Sequence, residues 1–265
     1  MAFFLLAPAL FTSAFTGLKQ IFTAIGDGQP LELSNFARVL LLLCLFTMAF
    51  GRFFCGYACA FGALGDFVYA LRSSVEKWTK RRFPHLPKKL LNRLNFLPFL
   101  NLTVIVGLCA AGLYDRLSGW SPWDVFSMLT KLKLRLDHYG IGGILLLLIL
   151  AGMALEPRFF CRFLCPLGGV FRLLPIFPWA VLKRDTDNCV RGCSVCAAGC
   201  PVGHRLGTSE NAGACIRCDQ CLRVCPRQNI RSAVGNQPGV NALLTLGKAG
   251  LLLFIAALLD AVRIF

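Results

Sequence analysis

The sequence predicts an all-α bundle of about five transmembrane helices that carries a small α+β domain on its cytoplasmic side. The first observation is composition, because 56% of the 265 residues are hydrophobic and only 15% are charged, whereas soluble domains have about 25% charged residues. The second observation is that the apolar residues gather in runs close to bilayer-spanning length. The third is a polar segment, residues 183–235, that contains most of the 14 cysteines at short spacings.

Five apolar runs predict the transmembrane helices. They cover about residues 3–25, 36–54, 96–114, 141–155 and 240–262. Each run must be helical, since hydrocarbon offers the backbone no other hydrogen-bond partner. The polar segment then divides the chain into three parts: a transmembrane region over residues 1–182, a cytoplasmic domain over residues 183–235, and a last transmembrane helix within residues 236–265.

The charged loops predict the orientation of these helices. Residues 72–93 contain many lysines and arginines and a single acid, Glu76, and residues 183–235 are also net basic. Basic loops stay on the cytoplasmic side. We therefore expect a multi-pass protein of the bacterial cytoplasmic (inner) membrane with its N-terminus inside and its C-terminus outside. Membrane lipid surrounds it, and the formal net charge of +15 requires no nucleic-acid partner.

The cysteines of residues 189–225 have the spacing of a bacterial ferredoxin domain with two [4Fe-4S] clusters. Three close cysteines wrap one cubane, and a fourth, placed before proline, reaches the other cluster. One ligand set is expected to be Cys189, Cys193, Cys196 and Cys225. The other is expected to be Cys215, Cys218, Cys221 and Cys200. Zinc is the alternative, but two quartets that each end in Cys-Pro favour iron–sulfur.

Two apolar runs end in the same motif, RFFC-x3-C-x2-G. It reads RFFCGYACAFG at residues 52–62 and RFFCRFLCPLG at residues 158–168, a parallel internal repeat. Its cysteines are Cys55, Cys59, Cys161 and Cys165. On an α-helix, residues i and i+4 share a face, so four thiols converge if the repeats meet around a pseudo-two-fold axis. Three interpretations stay open: a third iron–sulfur centre at the membrane edge, a dithiol/disulfide relay, or small packing residues.

Four charged residues accompany the repeated motif. Arg52 and Arg158 precede the two cysteine pairs at matching positions. We expect them at the lipid headgroups, with stabilisation of thiolates as the alternative. Asp66 and Glu156 lie near the inner interface, where an ionisable group either handles protons, here those of a quinol, or pairs with a neighbouring arginine.

The remaining polar residues add less. Arginines surround the ferredoxin cysteines, where positive charge raises the reduction potential of a cluster; they are Arg191, Arg205, Arg217, Arg223 and Arg227. Cys44 and Cys109 have no partner spacing and are expected to pack between helices. The histidines form no facing intramembrane pair, which argues against a haem site. Residues 120–136 have helical apolar periodicity and predict a helix in the outer interface or packed on the bundle.

Together these motifs resemble those of the NapH/NosR-type membrane ferredoxins, a family that includes MauN and CcoG. The residues that carry the resemblance are GRFFCGYACAFGAL, RFFCRFLCPLGGVF and the two ferredoxin runs, over about residues 36–230. The family's first motif usually ends in Cys-Pro, whereas Ala60 follows Cys59 here. The first ferredoxin run also opens one residue wider than the standard spacing.

The resemblance implies a membrane-bound iron–sulfur protein that moves electrons between the cytoplasmic side or the quinone pool and another redox protein. That partner is often an extracytoplasmic flavoprotein or reductase, or another electron-transfer subunit. The implied cofactors are two [4Fe-4S] clusters, with a third centre and a quinone as further candidates. Two other functions stay open, reductive maturation of a metalloenzyme and redox sensing. The sequence identifies no catalytic residue.

Overall fold

A computed structural model of the chain describes residues 10–30, 34–81, 86–114, 121–122, 125–126, 140–177, 180–185, 187–190, 192–204, 206, 213–232 and 238–258. In chain order the helices are α1 (Leu10–Gly26), α2 (Asn35–Phe50), α3 (Phe53–Tyr57), α4 (Ala60–Thr79), α5 (Lys88–Leu94), α6 (Leu97–Ala110), α7 (Gly140–Leu155), α8 (Pro166–Leu173), α9 (Val195–Ala198), α10 (Gln220–Val224) and α11 (Pro238–Leu258). A π-helical turn, Phe160–Leu164, precedes α8. Two short strands are β1 (Leu182–Arg184) and β2 (Ile230–Ser232).

Each of the five apolar runs contains a described helix, namely α1, α2, α6, α7 or α11. By length and composition alone, two helical stretches could cross a bilayer, residues 53–79 and residues 89–110. Helices α2 and α7 and residues 243–258 are apolar but shorter.

Residues 72–93, expected to connect two spans on the cytoplasmic side, contain the end of α4 at Thr79 and most of α5 (Lys88–Leu94). Phe67, Leu71, Val75 and Trp78 form an exposed apolar stripe along α4.

The apolar core lies directly beside the repeated motif. Helix α1 packs on α2 and α6, and α4 packs on α7. Phe61 of the first motif stacks on Phe160 of the second with ring centroids 4.3 Å apart. Phe11 of α1 meets the edge of Phe61 at 5.1 Å, and Phe126 lies 4.0 Å from Phe61. Stacked and edge-to-face rings of this kind fix the relative position of the two repeats.

The cysteine-rich segment is closed by a two-stranded antiparallel sheet. β1 pairs with β2, with Leu182 opposite Ser232 and Arg184 opposite Ile230. Leu182, Ile230 and Cys196 form a small separate core. The strands therefore bring the two ends of the segment together and leave the intervening loops to carry the cysteines.

Several expectations lie outside the described residues. Most of residues 120–136 do, so the expected interfacial helix is not described there. The same holds for His85 and His138, and for Arg191 and Arg205.

Candidate redox site

The two copies of the repeated motif share one backbone turn. The amide of Cys59 donates to the carbonyl of Phe54, and the amide of Cys165 donates to that of Phe160, each at 2.9 Å. Both cysteines have extended backbone conformations, with φ −73° and ψ 125° for Cys59 and φ −69° and ψ 115° for Cys165. The expected continuous α-helix through each pair is therefore wrong, because this wide turn ends one helix and the next begins. Ala60 follows Cys59 without changing the turn.

The repeats bring four buried thiols together. Cys55, Cys59, Cys161 and Cys165 are each no more than 5% exposed. The thiols of Cys59 and Cys161 lie within hydrogen-bonding reach of each other, and Cys165 lies near Cys55 and Cys161. The amide of Gly168 also donates to the sulfur of Cys165 at 3.2 Å. We call these four residues the four-cysteine site.

The arginine of each motif reaches into the other motif. Arg158 donates to the carbonyl of Cys55 at 2.5 Å and to that of Gly56 at 3.1 Å. A methyl group on Gly62 would overlap Arg158 Nη1, and one on Gly168 would lie 3.1 Å from Arg52 Nη2. The last glycine of each motif therefore leaves room for the guanidinium of the other.

The headgroup interpretation of the two arginines is wrong. Arg52 is 1% exposed and Arg158 is 6% exposed. Arg52 Nη2 lies 3.9 Å from Cys55 Sγ, within the range of a hydrogen bond to sulfur. Hydrogen bonds inside the protein lower the cost of burying each guanidinium, although Arg52 Nε has no partner among the described residues.

The two acids near the motif are both hydrogen-bonded. Asp66 forms an ion pair with Arg158, whose Nε donates to Asp66 Oδ1 at 2.6 Å. This contact is the arginine pairing expected as the alternative to a proton-transfer role. Glu156 Oε1 accepts a hydrogen bond from the amide of Leu86 at 3.0 Å.

Four ferredoxin cysteines form what we call the second ferredoxin group: Cys200, Cys215, Cys218 and Cys221. All four cysteines line one small cavity, and a thiolate at Cys200 would raise the pKa of each of the other three. The amide of His204 donates to Cys200 Sγ at 3.3 Å, and the amides of Arg217 and Gln220 donate to Cys215 and Cys218. N–H···S bonds of this kind stabilise negative charge on a cluster.

Burial disfavours the thiolate in the second ferredoxin group. It raises the pKa of Cys218 to about 11 and that of Cys221 to about 12. These thiols are therefore protonated at neutral pH in the absence of metal. Iron must displace the protons when a cluster binds, since only the thiolate is a ligand.

The other four cysteines form what we call the first ferredoxin group: Cys189, Cys193, Cys196 and Cys225. Arg184 Nη2 donates to Cys189 Sγ at 3.0 Å and interacts electrostatically with Cys193 and Cys196. Cys225 packs against the small core that contains Cys196.

Arg184, which lies on β1 before the first cysteine, is a functional residue that the cysteine spacing does not indicate. Only its position five residues before Cys189 could have indicated it. Of the expected arginines, Arg217 is buried against Gly51, whereas Arg223 and Arg227 are exposed.

The second ferredoxin group lies directly against the first copy of the repeated motif. A methyl group on Gly56 would overlap the carbonyl oxygen of Ile216 and lie 3.3 Å from the amide of Cys218. Beside this contact, Tyr57 donates its hydroxyl to Asp219 Oδ2 at 3.2 Å. The ferredoxin backbone therefore touches the residue that follows Cys55.

The second copy of the motif also contacts the ferredoxin segment. A methyl group on Gly203 would lie 2.9 Å from the guanidinium of Arg162. From the first copy, Arg52 Nη1 also donates to the carbonyl of Gly213 at 3.2 Å. The ferredoxin segment is thus seated across both repeats at the four-cysteine site.

The donor sets fit iron–sulfur clusters. Among the described residues, no three Cys, His, Asp or Glu side chains converge on a position for a single metal ion. A cubane places its irons at separate corners, so its thiolates need not meet at one point. Four cysteines supply the thiolate ligands of such a cluster. N–H···S bonds and nearby guanidinium groups stabilise its negative charge.

An apolar cavity of about 660 Å³ lies between α6 and α7. One end of the cavity is bounded by Phe159 and Leu164, two residues of the second copy of the repeated motif. Asn101 in its wall donates Nδ2 to the carbonyl of Leu164 at 2.6 Å. Tyr114 and Ser121 are further polar residues in the wall.

Comparison with known proteins agrees with this site. A family model described as a 4Fe-4S binding domain matches residues 38–84 and 140–181, and each match contains one copy of the repeated motif. An uncharacterized protein of Methanocaldococcus jannaschii is 30% identical over 72% of this chain and 69% of its own length. The methylamine utilization ferredoxin-type protein MauN of Methylobacillus flagellatus is 22% identical over 84% of this chain and 64% of its own.

The regulatory protein NosR of Pseudomonas aeruginosa is 29% identical over 75% of this chain but only 28% of its own length. No solved structure matches. The fold and the cysteine groups define an iron–sulfur electron-transfer protein. The chain belongs to the NapH/NosR-type membrane ferredoxin family, as the resemblance of its motifs predicts.

Proposed function

We propose that the chain passes electrons through the membrane edge by way of a third iron–sulfur centre held by Cys55, Cys59, Cys161 and Cys165. The observation that carries this proposal is the convergence of four buried thiols from two separate repeats. Packing alone would not require the same turn, cysteine pair, arginine and glycine twice. The dithiol relay is the competing use of the same residues.

The contacts support an order for the relay. The second ferredoxin group touches the first motif at Gly56, whereas the first ferredoxin group lies around Arg184 on β1. Electrons would therefore run between the first ferredoxin cluster, the second ferredoxin cluster and the four-cysteine site. Each cluster supplies one-electron redox chemistry, and the protein supplies position and electrostatics.

The proposed topology keeps the ferredoxin segment in the cytoplasm and the five apolar runs as spans. Gly65 lies against Met153, and Arg72 donates to the carbonyls of Ala154 and Leu155. Helix α4 therefore passes the last turn of α7, where a basic residue caps free carbonyls. On this arrangement α4 lies at the cytoplasmic edge, and electrons leave toward a membrane or extracytoplasmic redox partner.

The test is to measure iron and acid-labile sulfide per chain, with EPR, on protein purified without oxygen. Two four-iron clusters give about eight irons, and a third centre adds about two to four. We expect the higher count in the native chain and its loss when all four cysteines of the site become serine. The matched control replaces Cys44 and Cys109, which also lie in the apolar core, and should keep every cluster. About eight irons in both the native chain and the quadruple variant would refute the third centre.

A quinone is a second candidate ligand, and the cavity between α6 and α7 favours it. The cavity is almost wholly apolar, is large enough for a quinone ring, and ends beside the second cysteine pair. We expect Leu148→Trp, which narrows the cavity, to abolish oxidation of the reduced protein by a soluble quinone. The control is Leu147→Trp, since Leu147 is equally exposed but does not line the cavity. Equal rates in both variants would eliminate this site.

Reductive maturation of a partner and redox sensing are the other uses of the same clusters. Deletion of the chain distinguishes them. Loss of an electron carrier leaves its partner mature but without a supply of electrons. Loss of a maturation factor leaves the partner without its cofactor. Loss of a sensor changes transcription while the enzymes stay normal.

A further inference from the structure

The two halves of the four-cysteine site carry different charges at one pair of equivalent positions. The motifs are 106 residues apart in the chain, so Arg52 corresponds to Arg158 and Asp66 corresponds to Arg172. Asp66 pairs with Arg158. In the other half an arginine stands where this carboxylate would be, and among the described residues Arg52 has no carboxylate partner.

Arg52 is buried and Arg172 is partly buried, and neither forms an ion pair with a carboxylate among the described residues. Arg52 is 1% exposed, and the Nε atoms of both arginines are buried without a hydrogen-bond partner among the described residues. The Nη atoms of Arg172 donate to the carbonyls of Asn95 and Arg162, which carry no charge. Each guanidinium disfavours the positive charge of the other, so an anion beside them would stabilise both.

The four-cysteine site is the nearest source of that negative charge. Arg52 Nη2 lies 3.9 Å from Cys55 Sγ, and Arg172 interacts electrostatically with Cys55 and Cys165. Arg52 also donates Nη1 to Gly213 O, two residues before Cys215 of the second ferredoxin group. The guanidinium of Arg52 thus lies between the two redox centres of the proposed relay.

We propose that Arg52 and Arg172 compensate the charge of the reduced iron–sulfur centre in the four-cysteine site and so raise its reduction potential. Asp66 has the opposite effect, because its carboxylate neutralises Arg158 on the other side. This inference rests on the proposed third centre. It assigns the two arginines a tuning role, with no step of the electron transfer on the arginines themselves.

The test is an EPR-monitored redox titration of the anaerobically purified chain and three variants. Arg172→Gln removes a positive charge and should lower the midpoint potential of the membrane centre. A single charge in such a site changes the ratio of reduced to oxidised centre by about tenfold at fixed potential, which is 59 mV for one electron. Asp66→Asn should raise the midpoint. Arg172→Lys keeps the charge and should stay near the native value.

Lys77→Gln is the matched control, since it removes a positive charge from an exposed position on α4. Its midpoint should equal that of the native chain because water screens the change. If Arg172→Gln lowers cluster content, the opposite shift in Asp66→Asn still tests the proposal. Equal midpoints in the native chain, Arg172→Gln and Asp66→Asn, or shifts of one sign in both variants, would overturn it. Absence of a third centre in the native chain would instead overturn the proposed function on which it rests.

Discussion

One added methyl group at Gly62 would disturb the contact between the two repeats, because Arg158 of the second repeat packs directly on Gly62 of the first. In Gly62→Ala the new Cβ would overlap Arg158 Nη1 and lie 3.0 Å from the carbonyl oxygen of Cys55. Arg158 cannot withdraw easily, because the same guanidinium donates to Cys55, Gly56 and Asp66. The substitution therefore breaks a buried charged hydrogen bond or forces the two motifs apart.

The expected cost follows from these contacts. Loss of one hydrogen bond to a charged group costs about 1.5–3 kcal/mol, and an overpacked methyl group costs about 1–3 kcal/mol. Alanine in a helix regains up to about 1 kcal/mol relative to glycine. The net destabilisation is therefore about 3 kcal/mol. At about 2–4 °C per kcal/mol for a chain of this size, the Tm falls by roughly 6–12 °C.

The assay is thermal unfolding of the purified protein in detergent, with Gly65→Ala as the matched control. Gly65 lies one turn further along α4, and its added methyl would make an ordinary contact of 3.6 Å with Met153. We expect Gly65→Ala to unfold at or slightly above the native temperature. If both variants unfold at the same temperature, Arg158 does not hold the two repeats in place and the reasoning is refuted.

Three further predictions concern the ferredoxin segment. Gly56→Ala should keep the iron content but slow electron transfer from the second ferredoxin group to the four-cysteine site in stopped-flow spectra, since the methyl group separates Gly56 from Ile216; an unchanged rate would contradict the relay order. Cys225→Ala should remove the EPR signal of the first ferredoxin cluster, and loss of the second signal instead would disprove crossed ligation. In the cluster-free protein the free energy of unfolding should fall between about pH 9 and 12, as urea titrations can measure, because Cys218 and Cys221 keep their protons when folded and the unfolded chain releases them first; a flat or rising profile would exclude buried thiols.

The sequence was a good guide to the helices and to the residues that bear the chemistry. The apolar runs all contain helices, because a run that avoids water must satisfy its backbone internally. The apolar stripe on α4 could not be predicted from the basic residues of 72–93, because a count of charges does not report which face of a helix they occupy. Tyr57 and Gly56 gave no signal, since their roles depend on a loop that is distant in the chain.

The geometry of the cysteine motif could be predicted only in part. The repeat indicated that two pairs of thiols belong together, but a spacing of four residues suggested an α-helix instead of the wider turn at Cys59 and Cys165. The crossing of Arg52 and Arg158 into opposite repeats was not predictable, because a spacing pattern does not report which partner a long side chain chooses. The glycine at the end of each motif was the one available clue.

The exchange of arginines between the two repeats means that neither half of the site is complete by itself. A chain with only one copy could build this arrangement only as a symmetric pair of identical subunits, each lending its arginine to the other. In such a pair the residues equivalent to Asp66 and Arg172 would be the same on both sides. Joining the copies in one chain removes that restriction, and the two positions can then diverge into an acid and a base. A fused duplication can therefore carry different charges at its two equivalent positions, whereas a homodimer must carry the same charge at both.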